Sequence, residues 1–210
     1  MGLDMYLSRK VSGYKKPDGT LSKSFDDYKR DQFGRSNRIE EVSEVGYWRK
    51  SNQIHAWFVD TCQGGEDDCR EYDVTIEQLQ QLRDLCFSVL KLLDGKEIRV
   101  LPKDIKDFEK FRTGYGSNLN LAQRVKFDVN RLSDMKDSLS GFHTVNKGLS
   151  EQIKAKLPSR SGFFFGNTDY NGWYIIDLID TIAMLDQLFL EDKELRDKGF
   201  YPDYTYQASW

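Results

Sequence analysis

The opening stretch LDMYLSRKV alternates, with Leu3, Met5 and Leu7 set against Asp4, Tyr6 and Ser8. A period of two over this length predicts a half-buried β-strand. The turn residues KKPDGT follow, and residues 21–40 read as a polar loop or short hairpin with Phe25, Tyr28 and Phe33 as isolated anchors. EVGYWRKSNQIHAWFVDTCQGG then predicts a helix from about Tyr47 to Cys62. At about 100° per residue, Tyr47, Ser51, Ile54, Phe58 and Cys62 share one face, and Arg49, Gln53, Ala56 and Asp60 point to water. Trp48 and His55 border the apolar face on one side, Lys50 and Trp57 on the other. Gly64 and Gly65 stop this helix.

A second helix opens with Thr75 and Gln78 in the spacing of a capping box. Leu79, Leu82, Cys86, Val89, Leu90 and Leu93 recur at helical spacing until Asp94-Gly95. Residues 96–156 are less regular. KEIRVLP reads as a strand, IKDFEKF as a short amphipathic piece, RTGYGSNLN as a loop and LAQRVKFDVNRLSDMK as helical. EQIKAKLPS is a short helix ended by proline, and SGFFFGNT carries a short strand, Phe163–Phe165, between glycines. The last helix follows NGWY, with Ile175, Leu178, Ile179, Ile182, Leu185 and Phe189 on its buried face and Asp177 and Asp180 near its N-terminus. The tail FYPDYTYQASW shows no periodicity.

Charge changes this picture in one respect. The formal net charge of −3 conceals a segregation: residues 96–160 carry 14 Lys/Arg against 8 Asp/Glu, and residues 161–210 carry 3 against 9. A basic middle between acidic flanks fits either two complementary lobes or a patch for an anionic partner. The start lacks a continuous apolar signal segment, and Tyr6 stands where a myristoylation signal needs Ser or Thr. No apolar run approaches the roughly 18 residues of a membrane span. With three cysteines, an odd number, the expectation is a reducing cytoplasm and no membrane partner.

Candidate chemistry is sparse. There is no G-x-S-x-G elbow, phosphate loop or dinucleotide fingerprint, and the cysteines lack zinc-knuckle spacing. GYGSN at 114–118 lacks the Lys-Ser/Thr of a phosphate loop. His143 lies in the irregular middle. The acidic run Glu66-Asp67-Asp68, with Glu71 and Asp73, lacks calcium-loop spacing and reads as a solvated loop. Two readings stay open for Trp48, Arg49, Lys50, Asn52 and His55 taken with SGFFFGNTDYNGWY. They form an aromatic core with a polar rim, or a surface whose rings and cations grip a base and its phosphates.

The blocks MGLDMYL, YWRKSNQIHAWFV, GGEDDCREY and SGFFFGNTDYNGWY, in this order, resemble a family of small phage and prophage proteins. The resemblance implies context rather than a reaction: expression in a bacterial cytoplasm, during infection or from a prophage. It also singles out Trp48, Arg49, Lys50, Asn52, His55, Asp67, Asp68, Tyr72, Gly162, Gly166, Thr168 and Tyr170. Two departures stand out. Arg70 occupies a position where the pattern has glycine, and residues 96–156 are longer than the usual connection.

Together these readings predict an α+β fold: a small antiparallel or mixed sheet packed against about three main helices. Residues 1–95 and 157–210 form the main domain, with 96–156 as a basic insertion or small lobe. The expected function is a non-enzymatic accessory protein that binds and inhibits or sequesters a host component, with counter-defence as its setting. Its partner is a host bacterial protein or an anionic nucleotide-like ligand, with nucleic acid less favoured and no cofactor or metal. The candidate binding residues are Trp48, Arg49, Lys50, Asn52, His55, Tyr72, Phe164, Thr168 and Tyr170. The alternative is a nucleotide- or nucleic-acid-processing enzyme, with His55 as general acid or base and Asp67 and Asp68 orienting it or holding a metal.

Overall fold

A computed structural model of the chain describes residues 2–100, 123–139, 143–144, 147–162 and 168–210. The alternating start forms strand β1, Asp4–Lys15, with Met5 and Leu7 completely buried. β1 pairs antiparallel with three partners: β2 (Leu21–Ser22), β3 (Arg38–Arg49) and the C-terminal strand β8 (Asp203–Ser209). β8 in turn pairs with β4, Tyr72–Val74. Because β3 and β8 both pair with Asp4–Lys10, they lie on opposite edges of β1. β1 and the segment at Tyr72 therefore share one antiparallel sheet, as expected from the sequence; Phe163–Phe165 lie outside the described residues.

Several elements differ from expectation. The helix predicted from Tyr47 begins later: α1 spans Asn52–Cys62, and Tyr47, Trp48 and Arg49 belong to β3. Lys50 makes the break, with a left-handed φ of 62° that neither a strand nor a helix continues. The C-terminal tail is a strand, with Tyr204, Tyr206 and Ala208 buried. In β3 the pairing Leu7↔Gly46 is followed by Ser8↔Glu44, so Val45 is an extra residue in a β-bulge. Gly46 lets α-helical Met184 approach closely there: a Cβ would stand 2.7 Å from the Met184 Sδ and 3.1 Å from the Leu7 Cβ, so a larger residue would displace the Met184 side chain.

Helix α2, Ile76–Leu93, matches its predicted bounds. The Thr75 Oγ1 accepts from the Gln78 N–H at 3.2 Å, and the Gln78 Oε1 accepts from the Thr75 N–H at 2.8 Å, which closes the capping box. All six residues of its predicted apolar face are fully buried. Strand β5, Glu97–Val100, pairs with β6, Gln123–Lys126, and β7, His143–Thr144. The segment read as helical from residue 121 is thus a strand first, and only Leu132–Leu139 forms a helix, α3. α4 spans Lys147–Lys154 and α5 spans Gly172–Asp197. On α5, Ile175, Leu178, Ile179, Ile182 and Leu185 are buried as predicted, while Phe189 is half-buried and Leu188 takes the core position.

The fold is α+β, with five α-helices and two antiparallel sheets among the described residues. The chain divides into two compact units. The first holds residues 1–49, 57–80 and 184–210; the second holds 50–56 and 81–183, which includes the segment 96–156. In the first unit, Phe58 lies flat against Tyr206 with centroids 3.8 Å apart and planes 7° apart, and Trp48 meets Phe58 edge-on at 5.6 Å. In the second, the core gathers around α2 from Leu82 onward, β5 and the first half of α5. The Tyr174 Oη donates to the Leu157 carbonyl at 2.7 Å and ties the chain after α4 to α5.

Since Phe58 is fully buried between two rings, Phe58→Ala is expected to destabilise the protein by about 3–5 kcal/mol. Phe33→Ala, at a ring 72% exposed, should stay within about 0.5 kcal/mol. Urea midpoints of the two variants measure the contrast.

Candidate functional site

The segment Ser51-Asn52-Gln53-Ile54-His55 is buried around its whole circumference, although four of its five side chains are polar. Its position explains how. After Lys50, the Ser51 carbonyl accepts the N–H groups of Ile54 and His55, both at 3.0 Å, and begins α1. Gln53, expected to face water, is 5% exposed because its amide has a partner. The Gln53 Nε2 donates to the Asp177 Oδ2 at 2.8 Å. The Ser51 side chain bonds the same carboxyl.

Asp177 is the acidic partner of this buried polar turn. Desolvation pushes its carboxyl up to about 6, and the hydrogen bonds from Gln53 and Ser51 counter only part of that effect. Its other acidic neighbour, Asp180, pushes in the same direction as burial and itself pairs with the Lys136 Nζ. Burial also raises the nearby Cys86 thiol and Tyr174 phenol, so both stay protonated. Asp177 therefore exchanges a proton close to neutral pH inside a shell of an amide and a hydroxyl. That arrangement joins the start of α1 to α5, and it makes the joint sensitive to protonation.

The residues singled out from the sequence fall in both units. Lys50, Asn52, His55, Thr168 and Tyr170 belong to the second, and Trp48, Arg49, Asp67, Asp68 and Tyr72 to the first. Trp48 is 4% exposed, and the edge of Phe58 meets it. Arg49 is exposed and lies 3.7 Å from Asp4. Asn52 and His55 are 9% and 8% exposed. Thr168 and Tyr170 are anchored to Ser159, whose Oγ donates to the Thr168 carbonyl at 2.7 Å and whose N–H donates to the Tyr170 Oη at 3.3 Å. The Tyr170 ring meets the Tyr174 ring edge-on at 5.0 Å. Phe164 and Gly166 lie outside the described residues.

The acidic loop is organised by Arg70. Arg70 donates from Nε to the Asp68 Oδ2 at 2.5 Å and from Nη2 to the Glu66 Oε2 at 2.8 Å. Its backbone N–H and the Tyr72 Oη also donate to Asp68, at 3.0 Å each. Desolvation acts to raise Asp68, but these bonds outweigh it and hold the carboxyl below the usual range. Among the described residues, no three His, Cys, Asp or Glu side chains are grouped to hold a metal ion, and no helix is long and apolar enough to cross a membrane.

Comparison with protein-family models, curated proteins and solved structures finds no match for this chain.

Sequence reasoning missed the roles of Asp177 and Gln53. A signal was present: Asp177 sits between Ile175-Ile176 and Leu178-Ile179, where an acidic residue flanked by apolar ones needs a donor.

Asp177 has a folded-state pKa above its ordinary value of 3.8, so over that window the native state binds more protons than the unfolded chain. Its contribution to stability is therefore full below pH 3.8 and is lost as pH rises to about 6, by up to about 3 kcal/mol. Asp177→Asn keeps an acceptor for Gln53 and removes the titration. Its stability relative to the native chain should grow between pH 4 and pH 7, read from urea midpoints at both values.

Proposed function

We propose that the protein is a phage or prophage accessory protein that binds and blocks or sequesters a host component, in the setting of counter-defence, without catalysing a reaction. One observation carries this reading: two of the three groups assigned to acid-base chemistry are taken up by their own surroundings. His55 lies in the buried first turn of α1, and Asp68 takes hydrogen bonds from Arg70 and Tyr72. The same packing favours a protein partner over a nucleotide-like one. Stacking on a base requires an accessible ring face, and Trp48 is a core residue. The phage setting rests on the four sequence blocks and their order.

The test is stoichiometry. Isolated from bacterial cells after cross-linking, the chain is expected in a complex with one host component at a fixed ratio. Titrating the purified chain should inhibit that component with an endpoint at that ratio. Multiple turnovers of a nucleotide or nucleic acid per chain, lost in a folded His55→Ala variant, would instead establish the enzyme reading.

A further inference from the structure

β3 is a twelve-residue strand that pairs only with β1 among the described residues, so its other edge presents a row of backbone donors and acceptors. Nearly the whole run Arg38–Glu44 is exposed. Three acidic residues, Glu40, Glu41 and Glu44, lie along it, and no ion pair joins Glu41 or Glu44 to another described residue. Beside the bulge at Val45 there is a groove of about 430 Å³. The bulged strand supplies Val45, Gly46 and Tyr47 to it, and α5 supplies Met184 and Leu188. At its rim the Arg9 Nη1 donates to the Glu191 Oε2 at 2.8 Å, while the Arg9 Nε is buried without an acceptor. All of these residues belong to the first unit.

We propose that the free edge of β3, with the groove beside it, takes an extended basic segment of a partner protein as an added strand. Main-chain hydrogen bonds to β3 provide the pairing, as in other strand-addition complexes. Glu41 and Glu44 select Lys or Arg at facing positions, since opposite charges across a strand pair are favourable. At the groove, an apolar side chain of the added segment packs on Met184 and Leu188, and one of its carbonyl groups reaches the Arg9 Nε–H. A second copy of the chain is the wrong occupant. Antiparallel self-pairing centred on Val42 would set Glu40 against Glu44 twice, and like charges directly opposite are destabilising. This inference rests on the binding function proposed above and names the surface and the partner chemistry for it.

The probes are a decapeptide of Lys and Val with two lysines three residues apart, so that they face Glu41 and Glu44 on the two faces of the strand, and its Glu-Val counterpart, tested on the full chain. Calorimetry should detect the Lys-Val peptide and not the Glu-Val one, and hydrogen exchange should show new protection at residues 38–49. The double variant Glu41→Lys/Glu44→Lys should lose at least tenfold in affinity for the Lys-Val peptide and begin to bind the Glu-Val one. If this charge reversal perturbs folding by circular dichroism, Glu41→Gln/Glu44→Gln replaces it and should show the loss alone. Unchanged protection of β3 at saturating peptide, equal affinity of the folded variant, or dimerisation of the chain through β3 in sedimentation would each overturn the proposal. A host component still held by Glu41→Lys/Glu44→Lys would refute this surface while leaving the binding function intact.

Discussion

The first unit depends on the two-sided pairing of β1. A strand with partners on both edges has its backbone donors and acceptors satisfied within the sheet, which lets it sit in the interior. Met5 and Leu7 are then buried without a polar penalty, and the remaining strands take their register from β1 directly or, for β4, through β8. The chain's two ends meet in this way, since β1 opens the sequence and β8 closes it. The aromatic stack of Phe58 on Tyr206 follows from the same register, because Tyr206 lies opposite Leu7 on the inner face.

The second unit solves a different problem, that of polar side chains placed inside. Ser51 and Gln53 remain buried because Asp177, itself half-buried, accepts from both. Without that acceptor, Ser51 and Gln53 would each be an unpartnered buried polar group, at a cost of about 1–3 kcal/mol. The joint is specific rather than strongly stabilising, because desolvation of the carboxyl cancels much of what the bonds return.

Legibility in the sequence followed periodicity. β1 and α2 repeat their patterns over enough residues to be read, and both formed where expected. β8 was readable too: Tyr204, Tyr206 and Ala208 alternate with Asp203, Thr205 and Gln207, but the clustered aromatics hid the period. β3 was not readable, for two physical reasons. Its Glu-rich first half has low strand propensity, and the bulge at Val45 breaks the alternation. The helical spacing of Tyr47, Ser51 and Ile54 then extended α1 backwards over the end of β3. The same error affected the candidate site. Trp48 and His55 looked like neighbours on one helix, whereas a left-handed Lys50 separates a strand residue from a helix residue.

The bulge bears on how this strand tolerates length changes over its history. Opposite β1, the inward positions of β3 are odd-numbered before it (Ile39, Glu41, Ser43) and even-numbered after it (Gly46, Trp48). An insertion elsewhere in the strand would turn Trp48 out of the core or turn the acidic residues into new facings. Loss of the single codon for Val45 would not, because it restores plain alternation with every other side chain still on its own side. The bulge thus marks the place where the strand can lose one residue and keep the flanking side chains on their own faces.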